Sequence, residues 1–502
     1  MRQFIMLLGL PLTLTPEAAL AQAAGAVTAA PAAPAAADDN GEEEVVIKGQ
    51  KPVGSAIGDI PPEQSLSQAD IRSYGVNNIS DLLDQLSLQT TSGRGRGGEQ
   101  PVVLLNGRRI SGFQEIRDLP TEAVLRVDIL PEEVALKYGY PADQKVVNFV
   151  LRPRFLALVG EAGASISAEG GGEGVNPEAN YVRIRGDNRV TLNLRYQANA
   201  KLRESQRDVT DVGANRPFDL TGNVAAPSDA IPDEIDPALS ALAGKVVTVA
   251  AVPASAANGA PALAAFVPGA NSPNATDITH ARTLKGSSQQ WSGNLVYAGP
   301  FLGRSTFTLN GSLAYTSGDS LRGLPGAVLD MPVGDPFSPF ANPVAVYRYL
   351  DTDPLHQRTD NLTSHAGFGV NGDKGRWRWS VTGNYDHGDS RTRTQTGIDT
   401  RAFQARLDAL DPTANPFAAF GAGALGALMT DRARSISNTG NVQATMGGPL
   451  FKMPAGDVST NFKAGFEYIG FDGVSTRAFS TQSSSLSRRN ANGQVNIDIP
   501  IT

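Results

Sequence analysis

Few residues in this chain have the type and spacing that chemistry needs. It has no cysteine, which excludes a disulfide scaffold, thiolate-bound metal, iron–sulfur clusters and thiol catalysis. Its four histidines, His280, His356, His365 and His387, are scattered singly and leave little for a histidine metal site. There is no Gly-x-x-x-x-Gly-Lys-Ser/Thr phosphate loop and no Gly-x-Ser-x-Gly nucleophile elbow. Asp351-Thr352-Asp353 offers carboxylates to calcium but lacks the rest of a ligand loop. Gly93-Arg94-Gly95-Arg96-Gly97-Gly98 puts two cations, Arg94 and Arg96, on a flexible loop. It looks like an Arg/Gly tract for nucleic acid, but one copy is a poor one. An enzyme is not expected, nor a cofactor or a metal.

The chain therefore reads as a scaffold. Its 502 residues carry 43 basic and 50 acidic side chains, and a net charge of −7 gives no general attraction to phosphates. Residues 1–21 read as an export signal: Arg2, the apolar stretch Phe4–Leu14, then Ala19-Leu20-Ala21 as a cleavage site before Gln22. Beyond it no run approaches ~18 uninterrupted apolar residues, so no helical membrane span is expected. Residues 22–52 form an Ala/Pro-rich, then acidic, tether. Within it Val45-Val46-Ile47 is β-prone and has no hairpin partner beside it. It is readable as linker or as a strand that adds to another protein's sheet.

Residues 53–154 have the pattern of a small α/β domain. Ser67 opens a helix that Gly75 stops, and Asn78 opens a second with Leu82, Leu83 and Leu86 on one face. Pro101–Leu105 reads as a buried strand, turned by Asn106-Gly107 into a return at Arg109-Ile110. Val124–Leu130 and Val146–Leu151 are two further strands, separated by Tyr138-Gly139-Tyr140.

From residue 155 onward, alternation takes over. In Thr306–Thr316, Phe307, Leu309, Gly311, Leu313 and Tyr315 share one face, and Thr306, Thr308, Asn310, Ser312 and Thr316 share the other. Val190–Gln197, Arg376–Asp386 and Asn461–Tyr468 repeat the design, at the length of a tilted membrane strand. A soluble β-sandwich alternates too. However, Trp291, Tyr297, Tyr315, Trp377, Tyr385 and Tyr468 fall near strand ends on the apolar face, where a membrane barrel carries its aromatic girdles. Ten strands are expected, near 158–169, 178–187, 189–202, 288–299, 304–318, 361–371, 376–388, 437–448, 458–472 and 490–501. Connections after even strands are short, and those after odd strands are mostly long, including 203–287, 319–360 and 389–436. Outer-membrane barrels show that asymmetry.

The helix at Leu82-Leu83, then Pro101–Arg109, Val124–Leu130, Lys137-Tyr138-Gly139 and Val147–Arg152, together resemble the plug domain of TonB-dependent outer-membrane receptors. The resemblance covers roughly residues 42–154, and Glu44-Val45-Val46-Ile47-Lys48, within 43–48, is similar to that family's Ton box. The small-residue run usual after the Tyr-Gly pair is replaced by Tyr140-Pro141-Ala142-Asp143-Gln144-Lys145. The implied fold is an α/β plug at 53–154 followed, over 155–502, by antiparallel transmembrane β-barrel strands, ten of about 22. Size agrees: ten strands close at a radius of ~10 Å, about 22 at ~22 Å, and the plug's radius of gyration is ~13 Å.

The resemblance also implies a function: energy-coupled uptake of a bulky, scarce nutrient such as a siderophore. In it Glu44, Val45, Val46, Ile47 and Lys48 bind TonB, which works with an inner-membrane energising complex. The setting is the outer membrane of a Gram-negative bacterium, with the N-terminus in the periplasm. The partners are TonB, outer-membrane lipid and the nutrient, with no nucleic acid, and the complete protein is expected to be a monomer. Arg94 and Arg96 then lie in a plug loop, facing either an anionic ligand or inward carboxylates such as Glu161, Glu467 or Asp498. The alternative is a non-transporting product, a truncated relic or a surface-binding outer-membrane protein.

Overall fold

The computed structural model describes residues 52–57, 60–91, 101–209, 217–227, 233–303, 305–421, 423–478 and 480–501. The export signal, the patch Glu44–Lys48, and the loop holding Arg94 and Arg96 lie outside the described residues.

The α/β unit forms where its caps and turns put it. After β1 (Gln64–Ser67), Ser67 and Asp70 make a reciprocal capping box on α1 (Gln68–Ser73), which Gly75 ends at φ +66°. Asn78 caps α2 (Ile79–Gln85) by accepting from the Asp81 N–H at 2.9 Å, which turns Ile79, Leu82 and Leu83 into the core. β2 (Val102–Leu105), β3 (Arg108–Arg109), β4 (Val124–Leu130) and β5 (Val146–Leu151) complete a five-stranded sheet of order β1-β4-β5-β2-β3. β2 and β5 are parallel, and every residue of β5, the central strand, is buried.

A polar knot holds this sheet to the N-terminal segment. Asn106 and Gly107, at φ +50° and +70°, make the left-handed pair of a tight hairpin. A Cβ on Gly107 would collide with the Ser55 carbonyl. The fully buried Asn148 accepts from the Gly107 N–H at 2.8 Å and donates to the Gly54 carbonyl at 2.9 Å. Tyr138 donates to the Gly107 carbonyl at 2.8 Å and accepts from the Ile57 N–H at 2.9 Å.

Burial pushes the Tyr138 hydroxyl up to about 12. A pKa raised on folding stabilises below the unfolded value of about 10, and that contribution is lost as pH climbs through about 12. Tyr138→Phe is expected to cost about 1–3 kcal/mol at pH 8. It should also flatten the alkaline loss of stability between pH 10 and about 12, read by denaturant unfolding at stepped pH.

Ten strands follow: β6 (Arg154–Ser165), β7 (Gly174–Arg185), β8 (Asn188–Asn199), β9 (Ser287–Phe301), β10 (Ser305–Leu321), β11 (His356–Lys374), β12 (Trp377–Ile398), β13 (Leu428–Met453), β14 (Gly456–Arg477) and β15 (Ser480–Asp498). They form one antiparallel sheet in strict sequence order, with β6 and β15 at its edges. The alternation predicts the faces correctly. Leu309, Leu313 and Tyr315 are exposed on the outer face, while Thr308 and Asn310 are buried on the inner one. On the outer face Trp291 meets Tyr196 at 4.1 Å near one end of the ladder, and Phe301 meets Phe307 at 6.0 Å near the other. At ~3.4 Å per residue and ~40° tilt, Trp291 to Phe301 spans about 26 Å along the axis, the height of a membrane barrel's apolar band.

Several strands outrun their expected ends: β12, β13 and β14 have 22, 26 and 22 residues. Beyond the apolar band hydrophobic residues such as Phe471 and Val474 are sparse and fall on either face, so no regular hydrophobic alternation marks those extensions. The ninth connection is correspondingly short. β14 ends at Arg477 and β15 begins at Ser480, not near residue 490.

The three long connections are not separate loops but one packed unit. Val249–Ala251, Asn223–Ala225, Val344–Tyr349 and Gly326–Met331 form a four-stranded sheet in that order. Helices Pro237–Ala243 and Arg401–Asp408 pack on it through a shared core that includes Leu239, Phe266, Leu329, Phe340, Phe403 and Phe417. Polar bonds tie the three connections pairwise. Buried Asp236 accepts from the Ala341 N–H at 2.6 Å, Arg348 donates to the Ala418 carbonyl at 2.6 Å, and Asn415 donates to the Ala256 carbonyl at 3.0 Å.

Candidate functional site

The candidate site is where the plug meets the inner face of the wall. Two plug segments make the polar contacts. The first runs from Arg108 to Asp118. Here wall side chains at inward positions donate to plug backbone: Asn180 to the Asp118 carbonyl at 2.8 Å, Asn294 to the Gln114 carbonyl at 3.2 Å, Asn371 to the Arg109 carbonyl at 3.2 Å and Asn384 to the Ser111 carbonyl at 2.8 Å. One asparagine on each of β7, β9, β11 and β12 thus grips the same plug segment, Asn371 close to the turn that ends β11 and the others nearer mid-height. The second segment is Lys137–Tyr140. Asn461 donates to the Lys137 carbonyl at 2.8 Å and Lys463 to the Gly139 carbonyl at 3.0 Å. Arg109 covers the Tyr140 ring, 4.6 Å from its centroid.

A buried ion pair anchors the first segment, in addition to a more exposed one between Arg108 and Asp373 of β11 at 3.9 Å. Arg189 on β8 meets Glu115 at 2.8 Å, with both side chains about 5% exposed or less. The other Glu115 oxygen accepts from the Ser111 N–H at 3.1 Å. A buried pair such as this contributes little net stability but is costly to break one-sidedly.

The wall amides are only half used. The buried side-chain oxygens of Asn180, Asn294, Asn384 and Asn461 have no hydrogen-bond partner among the described residues. The contact thus combines neutral donors of about 1 kcal/mol each, four of them with idle acceptor oxygens, with the Arg189–Glu115 pair and an apolar patch where Val182 and Ile184 of β7 and Phe155 of β6 join the plug's core.

Among solved structures, the fold is similar to that of siderophore import receptors. The ferric-catecholate import receptor Fiu from E. coli K12, in its open form, matches at 12% identity over 86% of this chain and 66% of its own, with a TM-score of 0.30. The siderophore receptor PiuA from Acinetobacter baumannii matches at 11% over 87% and 62%, with a TM-score of 0.31. The ferric yersiniabactin uptake receptor FyuA from Yersinia pestis matches at 9% over 86% and 61%, with a TM-score of 0.36. The chain spans roughly three fifths of the length of PiuA and FyuA and 66% of Fiu. No family model and no curated protein matches the sequence.

The site residues expected from sequence divide as follows. Glu44, Val45, Val46, Ile47, Lys48, Arg94 and Arg96 lie outside the described residues. Of the inward carboxylates named as partners for the two arginines, Glu467 is engaged by Arg488 at 3.8 Å and by Asn490 at 3.2 Å, while Glu161 and Asp498 are exposed. Sequence reasoning missed Glu115, Arg189 and the whole Arg108–Asp118 contact. The available signal was the asparagine at mid-height on the polar face of so many strands.

Proposed function

We propose that this chain acts as an import receptor in the outer membrane of a Gram-negative bacterium, taking up a bulky, scarce nutrient by energy-coupled movement of its plug. One observation carries the reading. A folded α/β unit, whose core takes in Val182 and Ile184 of the wall, docks on the inner face of an antiparallel sheet whose outer face is apolar over about 26 Å. An apolar outer face suits a membrane wall, and a folded unit docked on its inner face suits a passage that opens on demand.

In this reading the N-terminus lies in the periplasm. Glu44–Lys48 then adds as a strand to TonB, which an inner-membrane complex energises, and tension on the tether peels the plug from the asparagines that hold it. Backbone pairing is the recognition element, so removing one N–H tests it. Val46→Pro is expected to leave the fold intact yet cut capture of TonB's periplasmic domain by the full-length protein at least tenfold. Equal capture by variant and wild type, or none by wild type, overturns the reading.

A further inference from the structure

Two cavities lie on the inner face of the wall, and their chemistry narrows the ligand. The lower one, 220 Å³, sits against the plug at Gln114 and is lined by Ser312, Thr363, His365, Asp386, Ser437 and Thr439 among others. The upper one, 530 Å³, is lined by Ser390, Thr392, Ser435, Ser475, Gln482 and Ser484, with the ring of Phe471. Ser435, Ser437 and Thr439 alternate down β13 and run from one cavity into the other. Their combined size falls in the range of small-ligand sites, ~300–1,000 Å³.

Side-chain hydroxyls recur through both linings, joined in the upper one by the apolar side chains Ala433, Val474 and Phe471. Among the described residues no lysine or arginine lines the lower cavity, and Arg434, which lines the upper one, is committed to Asp389 at 2.8 Å. The exposed formal charge on the lower cavity is the carboxylate of Asp386, whose side chain is 49% accessible. A trianionic iron chelate would meet that carboxylate, which among the described residues is faced only by the His365 ring at 2.7 Å. An apolar ligand would strand a dozen polar groups. A neutral polyol fits both conditions: its hydroxyls donate to Asp386 and exchange bonds with the serines and threonines, and a sugar face can lie on Phe471.

The lower cavity is also wired to the plug anchor. Asp386 is 2.7 Å from His365 Nδ1, His365 Nε2 is 2.8 Å from the Asn310 side-chain oxygen, and Asn310 donates to the Ser111 hydroxyl at 2.5 Å. Ser111 in turn donates to Glu115, which holds Arg189. Ser312 donates to Gln114 at 2.9 Å beside it. A group that draws Asp386 toward itself therefore competes with His365 at the head of an unbroken chain that ends on the plug's ion pair.

We infer that the Gln114–Asp386 cavity and the serine-lined cavity above it form one binding site for a neutral, hydroxyl-rich ligand of the oligosaccharide class, and that its occupancy is sensed through His365, Asn310 and Ser111. The inference rests on the import-receptor reading for its direction of transport, but binding itself does not depend on energy coupling. The test is calorimetric titration of the full-length protein in detergent with maltotriose, cellotriose, xylotriose and mannotriose, and with a ferric tricatecholate as the anionic comparator.

At least one trisaccharide is expected to bind and the ferric complex not to. Asp386→Asn should weaken trisaccharide binding at least tenfold, and Ser437→Ala with Thr439→Ala should weaken it severalfold. Both variants should keep the wild-type circular dichroism spectrum. Bound trisaccharide should raise amide exchange in residues 109–118, and Asp386→Asn should abolish that rise. Binding of none of the four sugars, undiminished sugar binding by Asp386→Asn, or preference for the ferric complex overturns the inference. Loss of TonB capture with sugar binding intact would instead count against the transport reading alone.

Discussion

Arg189→Ala is expected to loosen the plug from the wall by about 3–5 kcal/mol, the largest effect of any single substitution at the interface. The reason is asymmetry. Glu115 stays buried after its partner is gone, and the Ser111 N–H and hydroxyl that remain cannot compensate a carboxylate with so little access to water. Amide exchange in residues 109–118 reads the effect directly, and it should accelerate by about two to four orders of magnitude. Replacing both partners, as Glu115→Gln with Arg189→Met, removes the stranded charge and should restore most of the protection. Asn384→Ala, which deletes one neutral hydrogen bond, should cost only about 1 kcal/mol. Equal effects of Arg189→Ala and Asn384→Ala would mean that the ion pair is hydrated and does not anchor the segment.

Phe266→Ala should cost about 3–5 kcal/mol locally and open all three long connections at once. Phe266 is fully buried among side chains from each of them, at 4.9 Å from the Phe340 ring and 6.2 Å from the Phe417 ring. Limited proteolysis is the readout. Cleavage should appear together in 233–286, 322–355 and 399–421, while the plug core around Phe149 stays protected. Cleavage confined to 263–269 would show that the connections fold independently.

How much of this was legible in the sequence depends on which force shapes each element. Ser67, Asn78 and Asn106-Gly107 act through bonds within a few residues, so the plug's helices and hairpin could be read locally. Leu309, Leu313 and Tyr315 face outward because alternation is imposed by the pleat, and all ten wall strands follow from that period. The pattern fails where no apolar phase exists, as at Ser480–Ser485, where β15 begins unannounced.

The packed unit of the long connections was invisible for a different reason. Asp236, Arg348 and Asn415 bind partners roughly 70 to 160 residues away, and the short strands they support are too brief to carry a period. The plug anchor was missed likewise. Glu115 lies in an irregular turn, and only the fold brings Arg189 to it across 74 positions.

The claim on which everything else depends is that the outer face of the wall meets lipid and its inner face meets the plug. Because the chain has no cysteine, single cysteines along β9 can each carry a nitroxide without background. In lipid vesicles, oxygen accessibility by electron paramagnetic resonance should peak at Trp291, Leu295 and Tyr297, which are exposed on the outer face. Labels at Asn294 and Val296, buried against the plug side, should respond neither to oxygen nor to a water-soluble nickel chelate. Contradiction would come from the nickel chelate reaching Trp291, Leu295 and Tyr297 more readily than oxygen does, since the face assigned to lipid would then be facing water.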